Sequence, residues 1–148
     1  MITVRPAELA DTRPWLALRR ALWPEGSDAE HKDEIERYFA GGEAEQVVLL
    51  AQDASGRVIG FAEVSIRGYA EGCRTDRVAY LEGWLVVPEA RGRGAGRALI
   101  YAAEDWGRAQ GCQEMASDTQ PDNAASVAAH LALGFHDVGL VRCFRKPL

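Results

Sequence analysis

The chain has 148 residues and a mass of 16.2 kDa, and 47% of its residues are hydrophobic. This size and composition favour one globular domain over residues 1–148 rather than two. Seventeen Lys and Arg against twenty-two Asp and Glu give a net charge of −5 and a pI near 5.2, which argues against an extensive nucleic-acid-binding surface and favours a cationic small-molecule partner.

Hydrophobic periodicity predicts the elements of the first half of the chain. Pro24 ends the first predicted helix, and Gly41 with Gly42 ends the second. A turn at Asp53–Gly56 joins two strands into a hairpin, and the polar stretch Arg67–Arg77 is a predicted surface loop. In order, these elements are a strand at Ile2–Arg5, helices at Asp11–Trp23 and Ala29–Ala40, and strands at Val47–Ala51, Val58–Ile66 and Val78–Val87.

The second half continues the alternation of helices and strands. We predict a helix at Ala95–Gln110 followed by Gly111, a strand at Glu114–Ser117, a helix at Asn123–Leu133 closed by Gly134 and Phe135, and a last strand or hairpin at Val138–Arg145. The resulting order β-α-α-β-β-β-α-β-α-β predicts an α/β fold, with a mixed sheet covered by helices.

The cysteines and the first residues of the chain indicate the cellular compartment in which the protein is expected. Residues 1–5 contain no basic segment leading into a long apolar run, so we expect neither a secretory signal nor a membrane anchor and predict a cytoplasmic protein. Cys73, Cys112 and Cys143 are far apart and lack CxxC spacing. We therefore expect neither a disulfide framework nor a metal site, and the three histidines do not alter that expectation.

A glycine-rich turn with the sequence EARGRGAG, residues 89–96, separates the strand that ends at Pro88 from the following helix. The first N–H groups of a helix lack intrahelical partners, and glycine lets an anion approach the backbone closely, so the turn predicts a phosphate site. The P-loop does not fit, because Arg97 and Ala98 stand where Lys and Ser or Thr are needed, and the GxGxxG fingerprint lacks its last glycine. The alternative is a flexible surface turn.

The pattern Arg91-x-x-Gly94-x-Gly96, with Asn123 eleven residues before Gly134-Phe135, resembles the GCN5-related N-acetyltransferase (GNAT) superfamily. The resemblance implies a mixed, mostly antiparallel twisted sheet flanked by helices, with acetyl-CoA as cosubstrate and no metal. It implies that the CoA pyrophosphate is held by the turn and the pantetheine by the preceding strand, with Asn123 near the other end of the pantetheine. The turn residues are Gly92, Arg93, Gly94, Ala95, Gly96 and Arg97, and the strand residues are Trp84, Leu85 and Val86.

Three further stretches, Leu22–Pro24, Tyr80–Gly83 and Glu114–Thr119, are similar to those of aminoglycoside 6′-N-acetyltransferases within that superfamily. This resemblance implies acetylation of an aminoglycoside antibiotic, resistance to it, and a homodimer. It also implies an acceptor pocket lined by Trp23, Tyr69, Glu82 and Asp118.

The residue types suit such an acceptor, because carboxylates and aromatic rings bind ammonium groups and sugar faces. Glu82 beside Gly83 in an apolar strand predicts a bulge or a splayed edge where a ligand can pair with the backbone, and an ion pair on a solvated sheet face is the alternative. Asp118 before Pro121 could instead be a turn or capping residue. His130 stands where many related enzymes carry a tyrosine that protonates the leaving thiolate, and the alternative for it is a packed helical histidine.

The expected mechanism is direct attack of the amine on the thioester in a ternary complex. Glu82 accepts the proton of the amine, directly or through water, and a backbone N–H near Leu85 polarises the carbonyl. Cys112 and Cys143 have no evident base partner in the sequence, which disfavours an acyl-enzyme. Two alternatives stay open: a different acceptor, such as a polyamine, another metabolite amine or a protein N-terminus, and a non-catalytic CoA-binding sensor.

Overall fold

The computed structural model describes residues 1–41 and 45–148, which divide into two compact units, Met1–Ser117 and Asp118–Leu148. The first unit contains strands β1 (Thr3–Pro6), β2 (Gln46–Gln52), β3 (Val58–Arg67), β4 (Val78–Val86) and β5 (Glu114–Ser117) and helices α1 (Thr12–Leu22), α2 (Asp28–Phe39) and α3 (Ala95–Ala109). The second unit contains helix α4 (Ala124–Ala132).

The strands lie in the order β1-β2-β3-β4-β5. Neighbours are antiparallel except for β4 and β5, which are parallel. The predicted fold class, a mixed and mostly antiparallel sheet flanked by helices, is therefore confirmed. The predicted elements from Ile2 to Leu133 are also confirmed, and each end lies within one residue of its predicted position.

The two faces of the sheet are covered by different helices. Phe61 of β3 is buried in a cluster with Trp15 of α1 and Ile35 of α2. A Cβ added to the preceding Gly60 would meet Leu99 of α3 at 3.3 Å. Because successive strand residues point to opposite faces, α3 lies on the face opposite α1 and α2.

Helix ends follow from local sequence. Ser27 caps α2, its hydroxyl accepting the N–H of Glu30 over 3.1 Å while donating to the carboxylate of the same residue. Gly41 follows α2 with a φ of +76°, the left-handed conformation that ends helices; Gly42, the other predicted stop residue, is outside the described residues.

The prediction of a last strand or hairpin at Val138–Arg145 is wrong. Within the described chain, residues 136–148 have no strand and no register partner, and residues 137–148 are exposed. An extended segment becomes a strand only when a neighbouring strand accepts its hydrogen bonds. Gly139 also interrupts the segment with a φ of +118°.

Candidate active site

A bulge in β4 sets Glu82 apart from its neighbours. Gly83 pairs with Glu63 of β3 and Leu81 pairs with Val64, so Glu82 is the extra residue on its strand. The bulge expected from the Glu82-Gly83 pair is therefore confirmed. A bulge re-aims a side chain relative to a regular strand.

Trp23, the residue after α1, lies directly beside this bulge. A Cβ added to Gly83 would come within 2.5 and 2.7 Å of two carbon atoms of the Trp23 ring. The same indole packs edge-on against Phe61, with 6.1 Å between ring centroids. The structure thus brings together two of the predicted acceptor residues, Trp23 and Glu82, and glycine at 83 leaves the room for their approach.

The carboxylate of Glu82 is bound by two side chains of β3. Its Oε2 accepts the Ser65 hydroxyl over 2.5 Å and the Arg67 Nε over 2.8 Å, and its Oε1 accepts a second Arg67 nitrogen over 2.6 Å. The Arg67 guanidinium carbon lies 3.6 Å from the centroid of the Tyr80 ring. The ion pair considered as an alternative for Glu82 is therefore present.

Sequence reasoning missed Ser65 and Arg67. A signal was available, because Glu63, Ser65 and Arg67 are polar residues at every second position of a strand whose intervening residues are apolar. Such a spacing places the three side chains on one face.

A buried polar network lies beneath Trp23. Glu63 accepts hydrogen bonds from the Arg19 guanidinium and, over 2.9 Å, from the Trp15 indole. Arg19 also donates to His31 Nδ1 over 3.3 Å, so the other ring nitrogen of this histidine donates to the Trp23 carbonyl over 3.1 Å. Burial raises the pKa of Glu63, and the Arg19 charge opposes that rise.

The backbone of β4 presents alternate groups to its two edges. The Val87 N–H donates to the Ile59 carbonyl over 2.9 Å, which defines a hydrogen-bonded pair of the β3-β4 ladder. Such pairs recur every second residue, so Leu85 also directs its N–H and C=O toward β3. Trp84 and Val86 direct theirs toward the opposite edge.

That opposite edge is open in the described part of the chain. The parallel partner β5 pairs with β4 only along Val78–Leu81, and β4 continues to Val86. Arg91 Nε donates to the Val86 carbonyl over 3.0 Å, as expected for a carbonyl that faces away from β3. An extended ligand could pair with the outward groups beyond Leu81.

The glycine-rich turn links this edge to α3. Gly92 and Gly94 have φ values of +79° and +89°, and a Cβ at either would meet no atom within 4 Å. Gly94 is the N-cap of α3, whose first N–H groups therefore stand next to the bare backbone. Gly96 packs on the Trp84 indole, where a Cβ would be 3.4 Å from the ring.

Tyr69 lies two residues after β3, in the loop 68–77. It is 68% exposed, and its hydroxyl is bonded to Glu71, which raises the pKa of the tyrosine. The described contacts do not join Tyr69 to Glu82 or Trp23.

Three predicted site residues belong to the second unit. Asn123 caps α4, its Oδ1 accepting the Ser126 N–H over 3.1 Å. His130 Nδ1 donates to the Ser126 carbonyl over 2.7 Å, and the ring packs edge-on against Phe135. Asp118 is exposed at the start of this unit.

The described residues contain neither a group of metal ligands nor a membrane-spanning helix. Across 1–41 and 45–148, no three His, Cys, Asp or Glu side chains are grouped as metal ligands. Over the same stretches, no helix combines the length and apolarity needed to cross a bilayer.

Comparison with known proteins identifies acetyltransferases as relatives of the chain. Residues 13–135 match the family model described as Acetyltransferase (GNAT) family. The chain is 54% identical over 146 residues to aminoglycoside N(6′)-acetyltransferase type 1 of Klebsiella aerogenes, covering 98% of this chain and 96% of that protein. It is 42% identical to the protein of the same name from Stenotrophomonas maltophilia, covering 99% and 94%.

Solved structures of AAC(6′) proteins also superpose closely on the chain. AAC(6′)-Iy in complex with the bisubstrate analog CoA-S-monomethyl-acetylneamine superposes with a TM-score of 0.93 at 37% identity, covering 100% of this chain and 99% of that chain. AAC(6′)-IG from Acinetobacter haemolyticus gives a TM-score of 0.91 at 37% identity, covering 99% of both chains.

Proposed function

Because the chain belongs to the GNAT acetyltransferase family, we propose that it transfers an acetyl group from acetyl-CoA to the 6′-amino group of aminoglycoside antibiotics and so confers resistance to them. The observation that carries the proposal is the arrangement of β4 and α3. An open strand edge leads into a bare, amide-rich turn at a helix N-terminus, and Glu82 stands at the bulge where that open edge begins. The Klebsiella and Stenotrophomonas relatives supply the acceptor by name.

The coenzyme is proposed to bind along β4 and the turn. The N–H groups from Gly92 to Arg97 would hold the pyrophosphate, and the exposed guanidinium of Arg93 would add positive charge. The outward groups of Trp84 and Val86 would pair with the pantetheine on either side of Leu85, and the amide of Asn123 would contact its other end. AAC(6′)-Iy has been solved with CoA, which supports this choice of coenzyme.

The acceptor is proposed to bind beside the bulge. Trp23 offers an aromatic face and Glu82 a carboxylate, and the family resemblance adds Tyr69 and Asp118. The net charge of −5 favours a polycation.

The proposed chemistry is direct. The amine nitrogen attacks the thioester carbonyl carbon, a C–N bond forms, the C–S bond breaks, and the amine proton passes to Glu82 directly or through water. The outward N–H groups next to Leu85, those of Trp84 and Val86, are the candidates to stabilise the oxyanion. His130, as an imidazolium whose Nδ1–H donates to the Ser126 carbonyl, would protonate the thiolate from Nε2 and become neutral.

Two cysteines support direct transfer over an acyl-enzyme. Burial raises the pKa of the Cys112 thiol, and burial together with nearby Glu114 raises that of Cys73. A nucleophilic cysteine requires the thiolate, which such shifts disfavour. Cys143 is exposed, and all three cysteines are free, as suits the cytoplasm proposed for this enzyme.

We further propose that residues 1–148 act as one catalytic domain and that the enzyme is a homodimer. The family model spans both compact units, which supports the single domain. Apolar side chains exposed in the second unit, Val138, Leu140, Val141 and Phe144, favour a covering partner. Light scattering on a sizing column measures the mass directly, and a mass of one chain at working concentration would contradict the dimer.

A substrate screen tests the function. The purified chain is incubated with acetyl-CoA and with kanamycin-like and tobramycin-like aminoglycosides, spermidine, and an aminoglycoside that carries a 6′-hydroxyl in place of the amine, and free thiol is detected. We expect thiol release only with acceptors that have the 6′-amino group. Release with spermidine alone indicates another amine substrate, and acetyl-CoA binding without turnover on any amine indicates a sensor.

A further inference from the structure

The two oxygens of Glu82 are almost fully occupied by the protein itself. An ionised carboxylate offers about four lone-pair positions. Among the described residues, Ser65 and Arg67 supply three donors, two on Oε2 and one on Oε1. One position, on Oε1, is left for a substrate.

Arg67 is itself fixed from two sides. Its fork binds both oxygens of Glu82, and its guanidinium lies on the Tyr80 ring at 3.6 Å from the centroid. Ser65 and Tyr80 are register partners on β3 and β4, so a regular part of the sheet sets their spacing. A planar guanidinium that binds both oxygens of one carboxylate and stacks on an aromatic ring has little freedom to rotate.

The bulge explains why such fixing is needed. Glu82 is the extra residue on β4, and its backbone is outside the regular ladder that orients its neighbours. Its side chain is about 29% exposed, so packing alone does not select one carboxylate orientation. The hydrogen bonds from β3 supply that selection.

We propose that Arg67, assisted by Ser65, is a positioning residue for acetyl transfer: it locks the carboxylate of Glu82 so that a single Oε1 position faces the reacting amine. The proposal rests on the proposed function, in which Glu82 binds the amine and accepts its proton. Arg67 does not touch the reacting atoms. It restricts the carboxylate to the orientation from which proton transfer takes place.

The kinetic test uses the full chain with Arg67→Gln, Arg67→Lys and Ser65→Ala. The matched control is Arg20→Gln, because Arg20 forms the same two-point ion pair with Asp28 on the helical surface and has a similar exposure, 48% against 45% for Arg67. Values of kcat and KM are measured for an aminoglycoside and for acetyl-CoA, together with the Tm.

We expect Arg67→Gln to lower kcat about 10- to 100-fold, as for a misplaced reacting group, without raising the acceptor KM. Lysine keeps one charged group but cannot bind both carboxylate oxygens as the guanidinium does, so Arg67→Lys should retain part of kcat. Ser65→Ala should lower kcat less than Arg67→Gln does. Arg20→Gln removes an exposed ion pair and should leave kcat at the wild-type value, and the Tm of each variant measures its loss of stability. An Arg67→Gln enzyme with wild-type kcat overturns the proposal.

A crystal structure of Arg67→Gln separates this proposal from the function on which it rests. Electron density for the Glu82 carboxylate spread over several orientations supports the lock, and a single orientation identical to that in crystals of the wild-type chain overturns it. This result does not depend on turnover. If the wild-type chain acetylates no amine, the proposed function fails, and the crystal structure still decides whether Arg67 holds Glu82.

Discussion

The indole of Trp23 lies against Gly83, so closely that a Cβ at that glycine would approach the ring to 2.5 Å. The contact joins the end of α1 to the bulge of β4. It therefore sets the distance between an aromatic face and the Glu82 carboxylate, two of the groups proposed to bind the acceptor.

Replacing Gly83 by Ala should disturb this contact. The added methyl displaces the indole, and overpacking of this kind costs about 1–3 kcal/mol of the free energy of unfolding. We expect a higher acceptor KM with an unchanged acetyl-CoA KM. The control is Gly68→Ala, where the nearest atom to a new Cβ is 3.7 Å away. Urea unfolding and steady-state kinetics measure both effects, and equal acceptor KM values in the two variants would contradict the prediction.

Glu82→Gln should lower kcat about 10- to 1,000-fold, the range usual for the loss of one general base or acid. Gln is nearly isosteric but cannot take the amine proton. Glu89→Gln serves as control, because Glu89 forms an exposed ion pair with Arg57 and has no proposed role in the site. Turnover of Glu82→Gln at the wild-type rate over a range of pH removes this residue from the role of base.

Gly94→Ala should weaken acetyl-CoA binding specifically. At a φ of +89°, any side chain is strained, and relief of this strain should shift the amides proposed to bind the pyrophosphate. Gly56→Ala is a closely matched control, since Gly56 has a φ of +86° and equally open space in the β2-β3 turn. Both variants should lose about 1–2 kcal/mol of stability. Only Gly94→Ala should raise the Kd for CoA measured by calorimetry. Equal Kd values in the two variants would contradict the proposal that this turn binds the pyrophosphate.

Asp11→Asn should change how stability depends on pH. Two hydrogen bonds from Arg5 and one from the Glu8 N–H hold the pKa of Asp11 below its usual value. A depressed carboxyl pKa contributes stability above the unfolded-state pKa, and this contribution is lost as pH falls through the folded-state value. Asn should therefore cost about 1–3 kcal/mol at pH 7.

That cost should shrink as the solution is acidified, because wild-type Asp11 then becomes protonated as well. Urea unfolding of both proteins at pH 7 and at several acidic pH values measures the difference. A cost that stays constant with pH would show that the ion pair does not contribute through the charge of Asp11.

Arg19→Met should be among the most destabilising substitutions, at about 3–5 kcal/mol, because it leaves Glu63 buried and without its cation. Burial already raises the pKa of Glu63, and loss of Arg19 raises it further. The cost should thus grow as pH rises through the carboxyl range and be smaller in acid.

The double variant Arg19→Met with Glu63→Gln tests the cause. A neutral amide can still accept the Trp15 N–H, so the second substitution should recover part of the stability. Denaturant unfolding of the single and double variants gives the coupling free energy. A double variant less stable than Arg19→Met alone would show that packing, rather than the unpaired charge, causes the loss.

The elements and their order depend on residues that are close together in the chain. Apolar spacing of 3.6 or 2 residues depends on which residues lie next to one another in the chain, and so do the stops at Gly41, Gly111 and Gly134. The glycine turn before α3 and the bulge at Glu82 are also local features, which is why both were predictable. The prediction of a last strand after Val138 was wrong, because a strand needs a sheet edge to pair with. No local sequence pattern shows whether such an edge is available.

The surroundings of the candidate site depend instead on contacts between residues that are far apart in the chain. Arg67 precedes Glu82 by 15 residues, and Trp23 is 60 residues away from Gly83. The register of β3 against β4 brings Arg67 to Glu82, and the packing of α1 on the sheet brings Trp23 to Gly83. The same register determined that Trp84 and Val86, rather than Leu85, direct their N–H groups to the open edge. Charge pairing and hydrogen-bond direction depend on distances of a few ångströms between residues remote in the chain, and such distances exist only after folding.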